Sequence, residues 1–173
     1  MAAFDPNALI ERLERSGGAI CAIAAVASPD DARWRPDPSS WSILEIVCHL
    51  VDEEMEDFRA RVLSTLEDPS EAWAPIDPQG WATQRDYQSR DLDLTLSAFQ
   101  NRRSESIRLL RALESPDWSR AYRHPEFGEL SAGYMLSCWA AHDALHLRQL
   151  SRRLYQLALR DGSDEQLLYA GSW

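Results

Sequence analysis

Four histidines occur in this sequence, and two of them, His142 and His146, lie four residues apart in "CWAAHDALHLRQL". On a helix that spacing brings both imidazoles out of one face, about one turn apart. A third, His49, sits in the apolar stretch "ILEIVCHLV", with Glu45 one turn before it and Glu53 one turn after. Neutral imidazole binds zinc, nickel, copper or iron at about 2.0–2.1 Å, and an i, i+4 pair can give one ion two ligands. An H-x-x-x-H spacing alone is common without any ligand role. A third imidazole on a second inward stripe strengthens the metal reading, because burying three unpaired rings is otherwise unfavourable. His49, His142 and His146 are therefore the expected ligands of a divalent metal, zinc or nickel first, with iron and manganese as further candidates. Three protein ligands leave positions for water or substrate, as in catalytic rather than structural zinc sites. Three neutral ligands also leave the ion's charge uncompensated, so a bound water or thiol is acidified, for zinc-bound water to about pH 7.

Other chemistries are poorly served. All 18 basic residues are Arg, which removes Schiff-base lysine chemistry and a P-loop lysine, and neither a Gly-rich nucleotide motif nor G-x-S-x-G is present. A net charge of −10 disfavours nucleic acid and anionic membrane surfaces as partners. The three cysteines, Cys21, Cys48 and Cys138, form no C-x-x-C pair and suit a reducing compartment. The apolar run near the N-terminus is short and has acidic residues before it, and no stretch of about 18 apolar residues follows. The reading is a cytoplasmic chain with a small-molecule substrate; a homodimer is compatible with it.

A length of 173 residues suits one domain, taken as 1–173. Four segments carry helical periodicity. The first runs from Asp5, an N-cap before Pro6, to the break at Ser28 and Pro29. The second opens at Ser42 and Glu45, spaced as a capping box, and ends near Asp68 and Pro69. The third, "LDLTLSAFQNRRSESIRLLRAL", stops before Ser115 and Pro116, and the fourth runs from Ser131 to about Arg160, with Gly162 placed to end it. No strict alternation marks strands, so an all-α four-helix bundle is expected. The connection "EDPSEAWAPIDPQGWATQRDYQSR" is long for a bundle and can cross its length, making helices two and three parallel. Its Trp73, Trp81 and Tyr87 predict packing over the mouth of the site and contact with substrate.

The neighbours of the histidines have plainer readings beside the chemical ones. Glu45 reads first as a capping residue. Glu53 could orient His49 or act as a base. Cys138, one turn before His142, could line the site as a fourth ligand or nucleophile, although buried free Cys is usually packing. Asp143, turned about 100° from His142, should point away into helix pairing. Trp41, Trp139 and Tyr134 are read as core or site-wall aromatics.

"WSILEIVCHLVDEE" and, some ninety residues on, "HPEFGELSAGYMLSCWAAHDALHLRQL" together resemble the DinB/YfiT-like superfamily of metal-dependent enzymes. The resemblance covers most of the chain in helix order. It implies a four-helix bundle with a long crossover between helices two and three, and a divalent metal held by three histidines, here His49, His142 and His146. His124, in "RHPEFG", matches no ligand position. Some branches of the family transfer low-molecular-weight thiols, so the resemblance implies a metal-dependent S-transferase acting on small electrophiles. A metal-dependent hydrolase and a non-catalytic metal- or small-molecule-binding bundle are the alternatives.

Overall fold

Asp5 accepts a hydrogen bond from the Ala8 N–H at 3.0 Å, and Pro6, which has no N–H to leave unsatisfied, opens α1 (Pro6–Ala24). Its buried residues Ile10, Leu13, Gly17, Ile20 and Ala24 recur every three or four positions, the stripe of a helix with one face inward. The computed structural model describes residues 3–162 and 167–171. A short helix, α2 (Pro29–Arg33), leads into an irregular stretch and then α3 (Ile43–Glu56). The expected capping box starts α3: the Glu45 N–H donates to Ser42 Oγ, and the Ser42 N–H donates to Glu45 Oε2. Every residue from Ile43 to Leu50 is buried, so α3 is surrounded on all sides.

The second expected helix is not continuous. Asp57 (φ −118°, ψ −98°) breaks it, and α4 (Phe58–Glu67) continues in a new direction. The stretch after α4, expected as an irregular connection, contains α5 (Pro78–Gln84) and a 3₁₀ turn at Tyr87–Ser89, entered through Asp86 in the left-handed region (φ 46°). α6 (Leu92–Arg111) follows, capped by Asp91. Cys48 meets Thr95, Glu54 meets Arg103 and Ser106, and Arg59 meets Glu105, so positions along α3–α4 and α6 rise together.

The expectation of helices alone also needs correction. Before the last helix lies an antiparallel hairpin, β1 (Ala121–His124) and β2 (Gly128–Ser131), which pairs Ala121 with Ser131 and His124 with Gly128. His124 Nδ1 accepts the N–H groups of Glu126 and Phe127 at 3.2 and 3.3 Å, and Gly128 takes φ +74°, which closes the turn. Strands of four residues with no alternation in burial are too short to read from periodicity. α7 (Ala132–Asp161) starts on a Ser131 cap, and a last 3₁₀ turn covers Leu168–Ala170.

α7 packs on α1 and α4, and α6 packs on α1 and α3. Apolar burial falls into two groups, one around Ile20, Ile46, Phe99 and Leu150 and the other around Leu13, Val62, Leu136 and Trp139. Each large side chain so buried contributes roughly 1.5–3 kcal/mol before chain entropy is counted. Among the described residues no helix is long and apolar enough to cross a membrane.

Candidate metal centre

α3 delivers His49 and α7 delivers His142 and His146 to one place. Ring centroids lie 5.6 Å apart for His49 and His142, 4.9 Å for His49 and His146, and 4.3 Å for the pair on α7. One nitrogen from each ring can be chosen so that all three lie within 4.8 Å of one another. His142 Nε2 and His146 Nε2 are 3.0 Å apart. That separation suits two ligands about 2.0–2.1 Å from a common ion.

The surroundings fix the rings in a ligand-competent state. With Gln149 Oε1 accepting at 2.9 Å, the His146 proton sits on Nδ1 and the Nε2 lone pair is turned toward His142. Burial depresses the pKa of all three; together with the neighbouring imidazoles it brings His49 to about 2, and together with His146 and Arg103 it brings His142 to about 3. At neutral pH the three rings are therefore uncharged and free to donate lone pairs. His49 Nδ1 is buried without a hydrogen-bond partner, and Glu53 Oε1 stands 3.7 Å from it. Three converging neutral imidazoles, one with an orphaned nitrogen, are the donor set a divalent cation requires.

The site opens into a cavity of about 550 Å³. Its walls combine the histidines with Trp41, Leu145, Glu53, Gln149, Arg153 and, from the other side, Ser39, Ser40, Pro78 and Gln79. The Trp41 ring lies 4.8 Å from His49, and Phe58, placed by the break at Asp57, lies 4.9 Å from His142. The Glu53 carboxyl pKa is raised by burial and by the adjacent Asp57, to which its protonated form hydrogen-bonds; Arg61, 2.8 Å from Asp57, partly offsets this.

The remaining expected residues fall elsewhere. Glu45 caps α3 and pairs with Arg35 through both carboxylate oxygens. Cys138 does not line the cavity; it is the partner of the Tyr134 hydroxyl, and Tyr134 is 56% exposed, neither core nor site wall. His124 closes the hairpin turn. Substrate contact was expected through Trp73, Trp81 or Tyr87, but none of the three rings lines the cavity. Trp73 stacks on Tyr122 at 4.3 Å, Trp81 is buried in the core, and the Tyr87 hydroxyl donates to Asp52 at 2.5 Å. The same segment instead reaches the cavity through Pro78 and Gln79.

Asp143 turns away from the histidines, as its position on the helix predicts, into a buried ionic cluster that the sequence did not announce. Arg103 donates to both Asp143 oxygens at 2.6 and 2.9 Å, to Glu54 Oε1 at 2.7 Å and to the Leu13 carbonyl at 2.6 Å. Ser16 donates to Asp143, while Ser106 and the Trp139 indole donate to Glu54 at 2.8 and 3.3 Å. Burial lowers the Arg103 pKa, but the bonds to Asp143 and the charge of Glu54 outweigh it and leave it raised. Gly17 leaves room for this arginine, since a Cβ there would come within 2.9 Å of Arg103 Cγ.

A helical bundle with a three-histidine cluster at the base of a polar cavity defines a class of metal-binding bundle. The chain belongs to the DinB superfamily, whose pattern it matches over residues 12–150. It is 30% identical over 112 residues to the "Putative metal-dependent hydrolase OB0782" of Oceanobacillus iheyensis, covering 64% of this chain and 63% of the relative. It is 29% identical over 118 residues to the "Putative metal-dependent hydrolase YfiT" of Bacillus subtilis, covering 66% of each. The chain thus spans just under two thirds of the length of these relatives. The solved structure of Bacillus subtilis YfiT, described as "a probable metal-dependent hydrolase with an unusual four-helix bundle topology", has a TM-score of 0.76 at 22% identity and covers 89% of this chain and 90% of that one. These names speak of hydrolysis and none mentions a thiol, so the expected S-transferase activity gains no support from them.

Proposed function

We propose that the chain is a metal-dependent hydrolase of a small molecule, with His49, His142 and His146 holding the ion. The observation that carries this reading is the convergence of three uncharged imidazoles on the floor of a polar cavity of about 550 Å³. A divalent ion held there supplies Lewis acidity, polarising a carbonyl or phosphoryl oxygen and acidifying water. Gln149 keeps His146 in the tautomer that presents Nε2. Trp41 and Phe58 wall the rings with apolar surface and exclude bulk water. Glu53 is the carboxyl placed to take a proton from attacking water and return it to the leaving group. It holds a proton in the protein alone, and a positive charge beside it would lower its pKa and favour release of that proton. Asp57 behind it accepts that proton's hydrogen bond and is itself held by Arg61 at 2.8 Å.

The test is to load the protein with zinc, nickel, iron or manganese, verify stoichiometry, and assay ester, amide and phosphoester panels with and without cellular thiols. Hydrolysis that needs the metal and no thiol supports the proposal. Turnover only with a thiol selects S-transfer, and stoichiometric metal without turnover on any panel selects a binding bundle.

A further inference from the structure

α7 carries 30 residues, and between Ala132 and Arg160 its only acidic residue is Asp143, which Arg103 occupies. The same span carries Arg148, Arg152 and Arg153 on the turns after His146. In a chain of net charge −10, none of these three has a carboxylate within ion-pair distance among the described residues. Arg153 is the unusual one, being only 6% exposed. Its Nε donates to the Trp41 carbonyl at 2.6 Å and its Nη1 to Gln156 Oε1 at 2.6 Å, both neutral acceptors. Burial and the nearby charge of Arg152 lower its pKa, and the charge of Asp37, which makes no ion-pair contact with it, opposes them. A buried guanidinium with no carboxylate in contact among the described residues is costly unless something supplies one.

Arg153 lines the same cavity as the three histidines. It lies seven residues beyond His146, two turns along the same face, a rise of about 10 Å. An adjoining depression of about 520 Å³, sharing Leu145, His146 and Gln149, is bordered by Arg148 and Arg152. The cavity therefore has a metal-type donor set at one end and, at the other, an arginine with no carboxylate in contact among the described residues. Gln79 adds a neutral hydrogen-bonding group to its wall, while Ser39 and Ser40, also on the wall, donate their hydroxyls to Asp37.

We infer that the cavity takes an anionic small molecule, whose carboxylate or phosphate group is held by Arg153 while its scissile bond reaches the histidine end. The planar guanidinium retains donors beyond the two already used, and its fork matches either group. Arg148 and Arg152 draw the anion toward the opening against the acidity of the whole protein. Arg153 is on this view a specificity residue, and the inference rests on the histidine cavity being the substrate site.

The test is calorimetric titration of the zinc-loaded and metal-free protein with inorganic phosphate, succinate and the neutral isostere succinamide. At least one anion should bind about tenfold or more tightly than succinamide, and the tighter of the two identifies the anionic group. Arg153→Gln should lose that preference with unchanged zinc stoichiometry, and Arg153→Lys should restore part of it. Should Arg153→Gln fail to fold, the surface double variant Arg148→Gln/Arg152→Gln serves instead, with binding weakened several-fold at low salt and less at high salt. Equal binding of succinate and succinamide overturns the inference. So does anion binding that Arg153→Gln leaves intact, which would place the anion on zinc alone. Failure of zinc to bind while the metal-free protein still prefers anions through Arg153 would sink the metal reading and spare this one.

Discussion

Glu53 and Glu54 are neighbours on α3, and His142 and Asp143 are neighbours on α7, yet each pair divides between two different interiors. Glu54 and Asp143 enter a closed cluster where Arg103 answers two carboxylates and two serines, an indole and a carbonyl take the remaining positions. Glu53 and His142 face a cavity where, among the described residues, His49 Nδ1 has no hydrogen-bond partner and Arg153 has no carboxylate in contact. The first interior has all its charged groups hydrogen-bonded to one another or to their neighbours, and its part is to hold helices together. The second has donors and charges left over, and those are what a ligand can use. One helical step of about 100° separates the two roles.

Breaking the closed cluster should have the largest effect. Arg103→Met leaves two carboxylates buried without a cation and should cost about 3–5 kcal/mol, read from the urea midpoint. A loss under 1 kcal/mol would mean that the cluster is not what fixes α3, α6 and α7. Next comes the open site: Ala at His49, His142 or His146 should abolish stoichiometric metal binding by elemental analysis while helical circular dichroism is retained. Retained stoichiometry in any one of the three would remove that residue from the ligand set. Gln149→Leu should be milder, weakening metal affinity about 10–100-fold by releasing the His146 tautomer.

A fourth expectation sharpens the contrast through pH. In the metal-free protein His49 and His142 have folded pKa values of about 2 and about 3 against an ordinary 6.5. The unfolded chain therefore binds more protons as pH falls below about 6.5, so the stability these rings allow is present above that value and is lost on acidification. Each ring should contribute a slope of about 1.4 kcal/mol per pH unit over that range. His49→Ala should flatten the acid limb, and an unchanged limb would show that the ring is solvated. The smallest effect is expected from Trp73→Leu, which should lower thermal stability by unstacking from Tyr122 while turnover, once an assay exists, stays at the wild-type level. A change in KM would return that segment to the substrate site.

Much of this was legible in the sequence because it rests on local periodicity. The Asp5, Ser42 and Ser131 starts, the inward stripe of His49 and the shared face of His142 and His146 need only 3.6 residues per turn and a side-chain oxygen three residues before an orphan N–H. The turning of Asp143 away from His142 follows from the same geometry. The break at Asp57 was not legible, because no Pro or Gly marks it and its surroundings, Glu53 and Arg61, are set by packing. Nor was the hairpin, whose strands are too short to show a period. The aromatics at 73, 81 and 87 misled because ring size signals burial but not against what.

By itself the sequence determined which imidazoles can share a helix face and which helices begin where, since those are nearest-neighbour properties of the chain. Only the tertiary structure decided that α3 meets α7 with His49 opposite the pair, that Arg103 from α6 closes over Glu54 and Asp143, and that Arg153 is left with Trp41 and Gln156 but, among the described residues, no carboxylate. Those outcomes depend on contacts between residues from 40 to 112 positions apart, whose free energy comes from burial and desolvation in the packed state, and no local pattern records it.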